Sequence, residues 1–296
     1  MKISFTDFWD KFDPHNNFFL DLLNEITGEQ PEVVVHPSTA DVLIYSCFGE
    51  PQFGGRGGQH KLFDKNKIIK IFYTGENIRP NFDDCTYSFT FDFEDYGGKN
   101  VRIPLWMLQL DWYEKGGYGN PQYVVPLEDI RDNDFTRRPK TEFCALMCSS
   151  LRDNRVECFE KLSVHGTCHG YGKPFGNWTY GEDVKMDTLS HYRFSICFEN
   201  TKYPGYYTEK LLHAKLSGNI PIYWADERIS EDFNPESFIN LNNFKSMDDL
   251  VGHVVQVNSD PEMYKEIASH PLWDDSRNPA NKKQKVKEEV KNLLKL

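Results

Sequence analysis

The chain has 296 residues and a formal net charge of −11, from 34 Lys and Arg against 45 Asp and Glu. That balance excludes a general nucleic-acid-binding role, which needs a basic footprint. The length suits two domains, and 22 Phe, 15 Tyr and 6 Trp can fill two cores and leave amphipathic rings for a polar ligand such as a sugar.

"KISFTDFW" reads as a first strand, and "NNFFLDLLNEI" as a helix with Phe19, Leu22, Leu23 and Ile26 on one face. "EVVVH" and "DVLIYSCF" are nearly continuous apolar runs, the pattern of strands covered on both faces of a parallel sheet. The run "FGGRGGQH" (Gly54–His60 at its core) reads as a mobile glycine-rich loop. It lacks both the Gly-Lys-Ser/Thr ending of a P-loop and the spacing of a dinucleotide fingerprint. "KIIKIFYTGE" and "YSFTFDF" continue the strand series. Residues 114–140, rich in Gly, Pro and charge, suit a linker.

A second series follows: strand "TEFCALMCS", helix "RVECFEKLS", strand "FSICFEN", helix "TEKLLHAKLSG", and strands "IPIYW" and "SFINL". Strands alternating with helices predict an α/β fold of two Rossmann-like, doubly wound domains facing a cleft, over 1–130 and 140–275. Ligands of such sheets lie beyond the carboxyl ends of the strands, where "YTGE" and "CFEN" fall. The tail "ANKKQKVKEEVKNLLKL" is basic, with Val286, Val290, Leu293 and Leu294 on one helical face. It has two readings: a last helix, about 275–296, packing back on the first domain, which is favoured, or a peripheral helix on an anionic inner membrane.

The opening "MKISFTDFWD" has no apolar signal-peptide core, and no stretch reaches the ~18 apolar residues of a spanning helix, so a cytoplasmic location is expected. The seven cysteines, mostly within apolar runs, read as buried reduced thiols. Cys144 and Cys148 have a poor zinc spacing, and no partner pair completes a site with His165, Cys168 and His169. No metal site is expected.

The stretch "CFENTKYPGYYTEK", Cys197–Lys210, concentrates the chemistry. Glu199 and Asn200 close a strand, a tyrosine-rich loop follows, and Thr208 reads as the N-cap of a helix. Lys210 in its first turn opposes the helix dipole unless an anion lies between them, which points to a phosphate-bearing ligand. Glu209 suits a pair of ligand hydroxyls. Glu76, after the buried run "IIKIFY" and a Thr-Gly turn, is a carboxylate at a strand end, where partial desolvation would make it a better base.

"FSICFENTKYPGYYTEKLLHAKLSGNIPIYW" followed by "DFNPESFINLNNF" closely resembles the α1,3/4-fucosyltransferases, strongly over about Arg193–Phe244. "FYTGENIRPNF" and "RIPLW" extend the likeness more weakly. The resemblance implies a GT-B fold, GDP-fucose as donor, and inversion at the anomeric carbon. The implied acceptor is a β-galactosyl-GlcNAc (N-acetyllactosamine-type) oligosaccharide, held by the N-terminal domain. It makes Glu76 the catalytic base and Asn200, Tyr206, Glu209 and Lys210 donor-binding residues, with Glu199 beside them. The family places an arginine in the loop before "CFEN", but "HGTCHGYGKPFGNW" has none. Lys173 stands near that place, and Arg155 in the preceding helix is the alternative cation. Asp132–Asn133–Asp134 matches a metal-binding D-x-D, yet its linker position in an acidic chain makes a chance match the favoured reading. No cofactor is expected to be required, with at most modest stimulation by Mn²⁺ or Mg²⁺. Rival readings are a GT-B transferase using another nucleotide sugar and a non-catalytic glycan-binding relative.

Overall fold

Short apolar runs make the strands, and a computed structural model describes them over residues 1–115, 125–127, 139–177 and 182–296. The chain divides into two units: Met1–Val124 with Pro279–Leu296, and Val125–Asn278.

The first unit carries β1 (Lys2–Thr6), β2 (Glu32–Val33), β3 (Val42–Tyr45), β4 (Ile69–Tyr73), β5 (Tyr87–Thr90) and β6 (Asn100–Arg102). All pair in parallel in the order β2-β1-β3-β4-β5-β6. The order reverses beside β1, so the carboxyl ends of β1 and β3 form a topological switch point. Helix α1 (Phe18–Thr27) starts where the Asn17 side chain accepts from the Phe19 and Leu20 amides, and ends at left-handed Gly28. It buries Phe18, Phe19, Leu22 and Leu23. A short helix α2 (Leu105–Leu108) follows β6 and buries Trp106.

The second unit carries β7 (Glu142–Met147), α3 (Asp153–Ser163), β8 (Cys168–Tyr171), α4 (Glu182–Leu189), β9 (Tyr192–Ile196) and α5 (Lys210–Leu216). It continues with β10 (Ile220–Tyr223), β11 (Ile239–Asn240), α6 (Met247–Ser259) and α7 (Pro261–Ser269). Its parallel sheet runs β8-β7-β9-β10-β11, the same winding, with the switch point between β7 and β9. Leu146, Phe194, Ile196 and Ile222 meet Leu250 and Val254 of α6 in its core.

Helix α8 (Pro279–Leu294) belongs to the first unit. Val286 and Val290 are buried there, and Lys283 and Lys287 pair with Glu25 of α1 at 2.8 and 3.2 Å. Burial raises the Glu25 carboxyl, and Lys283, the Tyr113 hydroxyl and Lys287 together outweigh it and hold it below its ordinary value. The Lys283 ammonium also lies 4.3 Å from the Tyr113 ring centroid. The central apolar stripe of this helix is thus spent on protein. No described helix is long and apolar enough to cross a membrane.

The seven cysteines are free, six of them buried. Among the described residues no three His, Cys, Asp or Glu side chains form a metal-holding group. Asp132–Asn133–Asp134 and most of the expected linker lie outside the described residues.

The run Gly54–His60 is held rather than loose. The Gly57 and Gly58 amides donate to the Gly49 carbonyl at 2.9 and 2.8 Å, and the Gln59 and His60 amides donate to the Asp7 carboxylate. The His60 ring stacks on Tyr45 at 4.0 Å, with Nδ1 2.7 Å from Asp7 and Nε2 2.9 Å from Asp84.

Candidate active site

In the second unit the site grows from the carboxyl end of β9. Glu199 is 0% exposed, and the chain fills its acceptor sites. Its Oε1 accepts from the Thr208 amide at 2.8 Å and the Tyr223 hydroxyl at 2.7 Å. The Thr208 hydroxyl donates to the same carboxylate, and Lys210 Nζ donates to Oε2 at 3.1 Å. The carboxylate therefore folds the loop 200–209 back on the strand and aims Lys210.

Gly205, at φ 85°, lets that loop turn, and its amide donates to Asp226 Oδ2 at 3.0 Å. Tyr206 and Tyr207 are buried beneath it. The expected N-cap differs: α5 begins at Lys210 with Glu209 preceding it, because the Thr208 hydroxyl is committed to Glu199. With seven residues, α5 contributes little dipole. Positive charge at this end comes from side chains.

Glu209 and Lys210 are 17% and 19% exposed, 3.9 Å apart. Lys185 of α4 adds a second ammonium, 3.5 Å from Glu209 Oε1. Burial alone would raise the Glu209 carboxyl, but Lys210 and Lys185 outweigh it and hold it well below its ordinary value. Burial likewise disfavours the Lys210 ammonium, and Glu199 and Glu209 reverse that, holding it charged well above its ordinary range. Sequence reasoning missed Lys185. It lies on a helix whose place opposite Glu209 is set only by tertiary packing.

Arg155 of α3 crosses the switch point and is 2% exposed. Its Nη1 donates to the Ser150 carbonyl at 3.0 Å, Nε and Nη2 donate to the Phe198 carbonyl, and Nη2 also donates to Asn200 Oδ1 at 2.9 Å. Four of its five N–H groups are spent on the chain. A guanidinium only donates, so the Asn200 oxygen must face it, which turns the two amide N–H donors of Asn200 the other way. Lys173 is exposed in the turn Lys173–Phe175 after β8, the edge strand.

In the first unit, Glu76 follows β4 and is half-buried. The Thr74 hydroxyl accepts from the Glu76 amide at 2.9 Å and donates to its carbonyl at 3.0 Å, fixing the turn. Gly75 packs closely on α2: a Cβ there would lie 3.1 Å from the Leu105 side chain, which would have to shift by a few tenths of an ångström. Burial pushes the Cys47 thiol up to about 11, and the Glu76 charge adds to that. The Thr74 hydroxyl that fixes the Glu76 turn lies 3.7 Å from the Cys47 sulfur, just past the end of β3.

Two family models match in tandem: an α-(1,3)-fucosyltransferase FucT N-terminal domain over residues 3–109, and the C-terminal part of glycosyltransferase family 10 (fucosyltransferase) over residues 137–293. The chain belongs to glycosyltransferase family 10. An α-(1,3)-fucosyltransferase FucT of Helicobacter pylori is 27% identical over 291 residues, 89% of this chain and 58% of that protein. An α-(1,4)-fucosyltransferase of Arabidopsis thaliana is 38% identical over 105 residues, 36% of this chain and 25% of that protein. The family 10 chain thus spans little more than half, or less, of these curated relatives. A crystal structure of an α1,3-fucosyltransferase matches with TM-score 0.72 at 21% identity, covering 100% of this chain and 90% of that one. A structure of such an enzyme with GDP-fucose matches with TM-score 0.70 at 22% identity, with the same coverage. The fold is that of the GT-B glycosyltransferases.

Proposed function

We propose that this family 10 chain is an inverting α1,3-fucosyltransferase that moves fucose from GDP-fucose to the GlcNAc of an N-acetyllactosamine-type acceptor. The observation that carries the reading is the charged cradle at the β7/β9 switch point. There Lys210, aimed by Glu199, and the amide donors of Asn200 suit the donor diphosphate. Glu209 accepts from the ribose hydroxyls. Tyr206, buried in the loop, shapes the donor wall. Arg155 acts as a positioning residue, because its donors are spent on Asn200 and the strand ends. Lys173, exposed on its turn, serves the outer phosphate face.

The acceptor belongs to the first unit, with Glu76 as general base. Glu76 takes the proton from the acceptor hydroxyl as that oxygen attacks the fucose anomeric carbon, and the bond to the GDP oxygen breaks with inversion. GDP leaves as an anion that the ammoniums stabilise. This chemistry requires no divalent ion, and added Mn²⁺ or Mg²⁺ brings a modest gain. Activity that disappears in EDTA would contradict that part.

The test is calorimetric titration with GDP, UDP, ADP and CMP. The reading expects GDP to bind most tightly. Preference for UDP would support a transferase of another nucleotide sugar instead.

A further inference from the structure

Two formal charges of the cradle are already cancelled within it. Glu199 is fully buried and holds Lys210 at 3.1 Å, so the ammonium beneath the proposed phosphates is neutralised by its own support. Glu209 places a second carboxylate 3.9 Å from the same ammonium. Arg155 supplies positive charge from behind, 2% exposed and committed to carbonyl and amide oxygens. Without Lys185 these four groups balance to zero, a poor environment for a departing diphosphate, which carries two to three negative charges.

Lys185 tips this group of charges to positive. Its side chain is 17% exposed, and its Nζ lies 3.5 Å from Glu209 Oε1, the oxygen that also faces Lys210. Both ammoniums thus converge on one oxygen and hold Glu209 ionised. An ammonium on a flexible stem, 3.5 Å from this carboxylate, is within reach of a phosphate bound beside it. We infer that Lys185 adds positive charge to the cradle around Glu209 and contacts the diphosphate of the bound nucleotide. This inference rests on the donor reading above and adds a residue to it.

The experiment titrates the whole chain with inorganic pyrophosphate, GDP and guanosine, comparing wild type with Lys185→Gln and Lys185→Arg. Lys185→Gln should weaken pyrophosphate and GDP by about tenfold or more, the loss of one charge-assisted contact, and leave guanosine unchanged. Its GDP affinity should also fall less steeply with added salt. Lys185→Arg, which keeps the charge, should stay within a few-fold of wild type. Unchanged pyrophosphate and GDP affinity in Lys185→Gln would overturn the inference. So would an equal loss for guanosine, which would mean that the substitution had only disturbed the fold. A wild-type chain that binds pyrophosphate but not GDP would sink the donor reading, while the variant-to-wild-type ratio for pyrophosphate still decides Lys185. A wild-type chain that binds neither overturns both.

Discussion

Replacing Glu199 by Gln keeps the side chain's shape and removes one charge from a fully buried position. Four groups donate to this carboxylate: the Thr208 amide and hydroxyl, the Tyr223 hydroxyl and the Lys210 ammonium. A glutamine oxygen can keep the donors on one side, but its NH₂ then meets donors on the other. The Coulomb attraction lost at the 3.1 Å Lys210 contact is about 5 kcal/mol at an effective dielectric of ~20. Glu209 at 3.9 Å and water at the 19% exposed Lys210 return part of that. The expected net loss is therefore about 3–5 kcal/mol, the range for breaking a buried pair from one side, against ~1 kcal/mol for a single hydrogen bond. Urea unfolding of wild type, Glu199→Gln, Lys210→Met and the double variant measures it. Removing both charges should cost less than the sum of the single changes, since the double variant strands neither charge. A Glu199→Gln chain within ~1 kcal/mol of wild type, or simple additivity in the double variant, would refute the reasoning.

Glu76→Gln should lower kcat by ~10²–10⁴ while GDP affinity stays at the wild-type value, because only the proton acceptor is lost. Near-normal turnover in that variant would move the base elsewhere. Asp7→Asn should destabilise the first unit by about 3 kcal/mol, since it strips a buried partner from His60. Burial raises the Asp7 carboxyl, and hydrogen bonds from His60 and Gln59 outweigh it, so its folded value lies below the ordinary one. Its contribution is thus complete above the unfolded value near ~4 and is lost as pH falls through the folded value, and equal wild-type and Asp7→Asn stability at pH 7 would contradict this. Lys215 is 0% exposed, donates to the Ser237, Ile267 and Ala268 carbonyls, and is pushed down by burial to about 7 from 10.5. Between those values the unfolded chain holds the proton and the folded chain does not, so stability should rise with pH across that window. Lys215→Met should lack this rise. A stability difference between the two chains that stays flat across the window would mean that the three carbonyls keep the ammonium charged.

The strands legible in the sequence were those with unbroken apolar runs. "VLIY", "IKIFY" and "IPIY" became β3, β4 and β10, since burial on both faces leaves a local signature. β8, "CHGY", has no such signature, because an edge strand needs cover on fewer sides. "EVVVH" carries the apolar run without the cover it suggested: only Glu32–Val33 pair, at the edge of the sheet, and Val35 is 85% exposed. Helices α6 and α7 went unassigned even though Ser246 and Asp260–Pro261 mark their starts. In the site, the sequence grouped Glu199 to Lys210 because one loop carries them. It could not show that Thr208 bonds Glu199 instead of capping α5, or that Arg155 spends its donors on Asn200. Both facts depend on which strand ends meet at the switch point. Lys185 was hidden for the same cause.

Acceptor-dependent release of GDP from GDP-fucose, with N-acetyllactosamine as acceptor and the new linkage assigned by nuclear magnetic resonance, tests the central claim most directly. The account predicts GDP release that rises with acceptor and a product with fucose α-linked to O3 of GlcNAc. Acceptor-dependent release from a different nucleotide sugar, or no transfer from GDP-fucose to any β-galactosyl-GlcNAc acceptor, would contradict it.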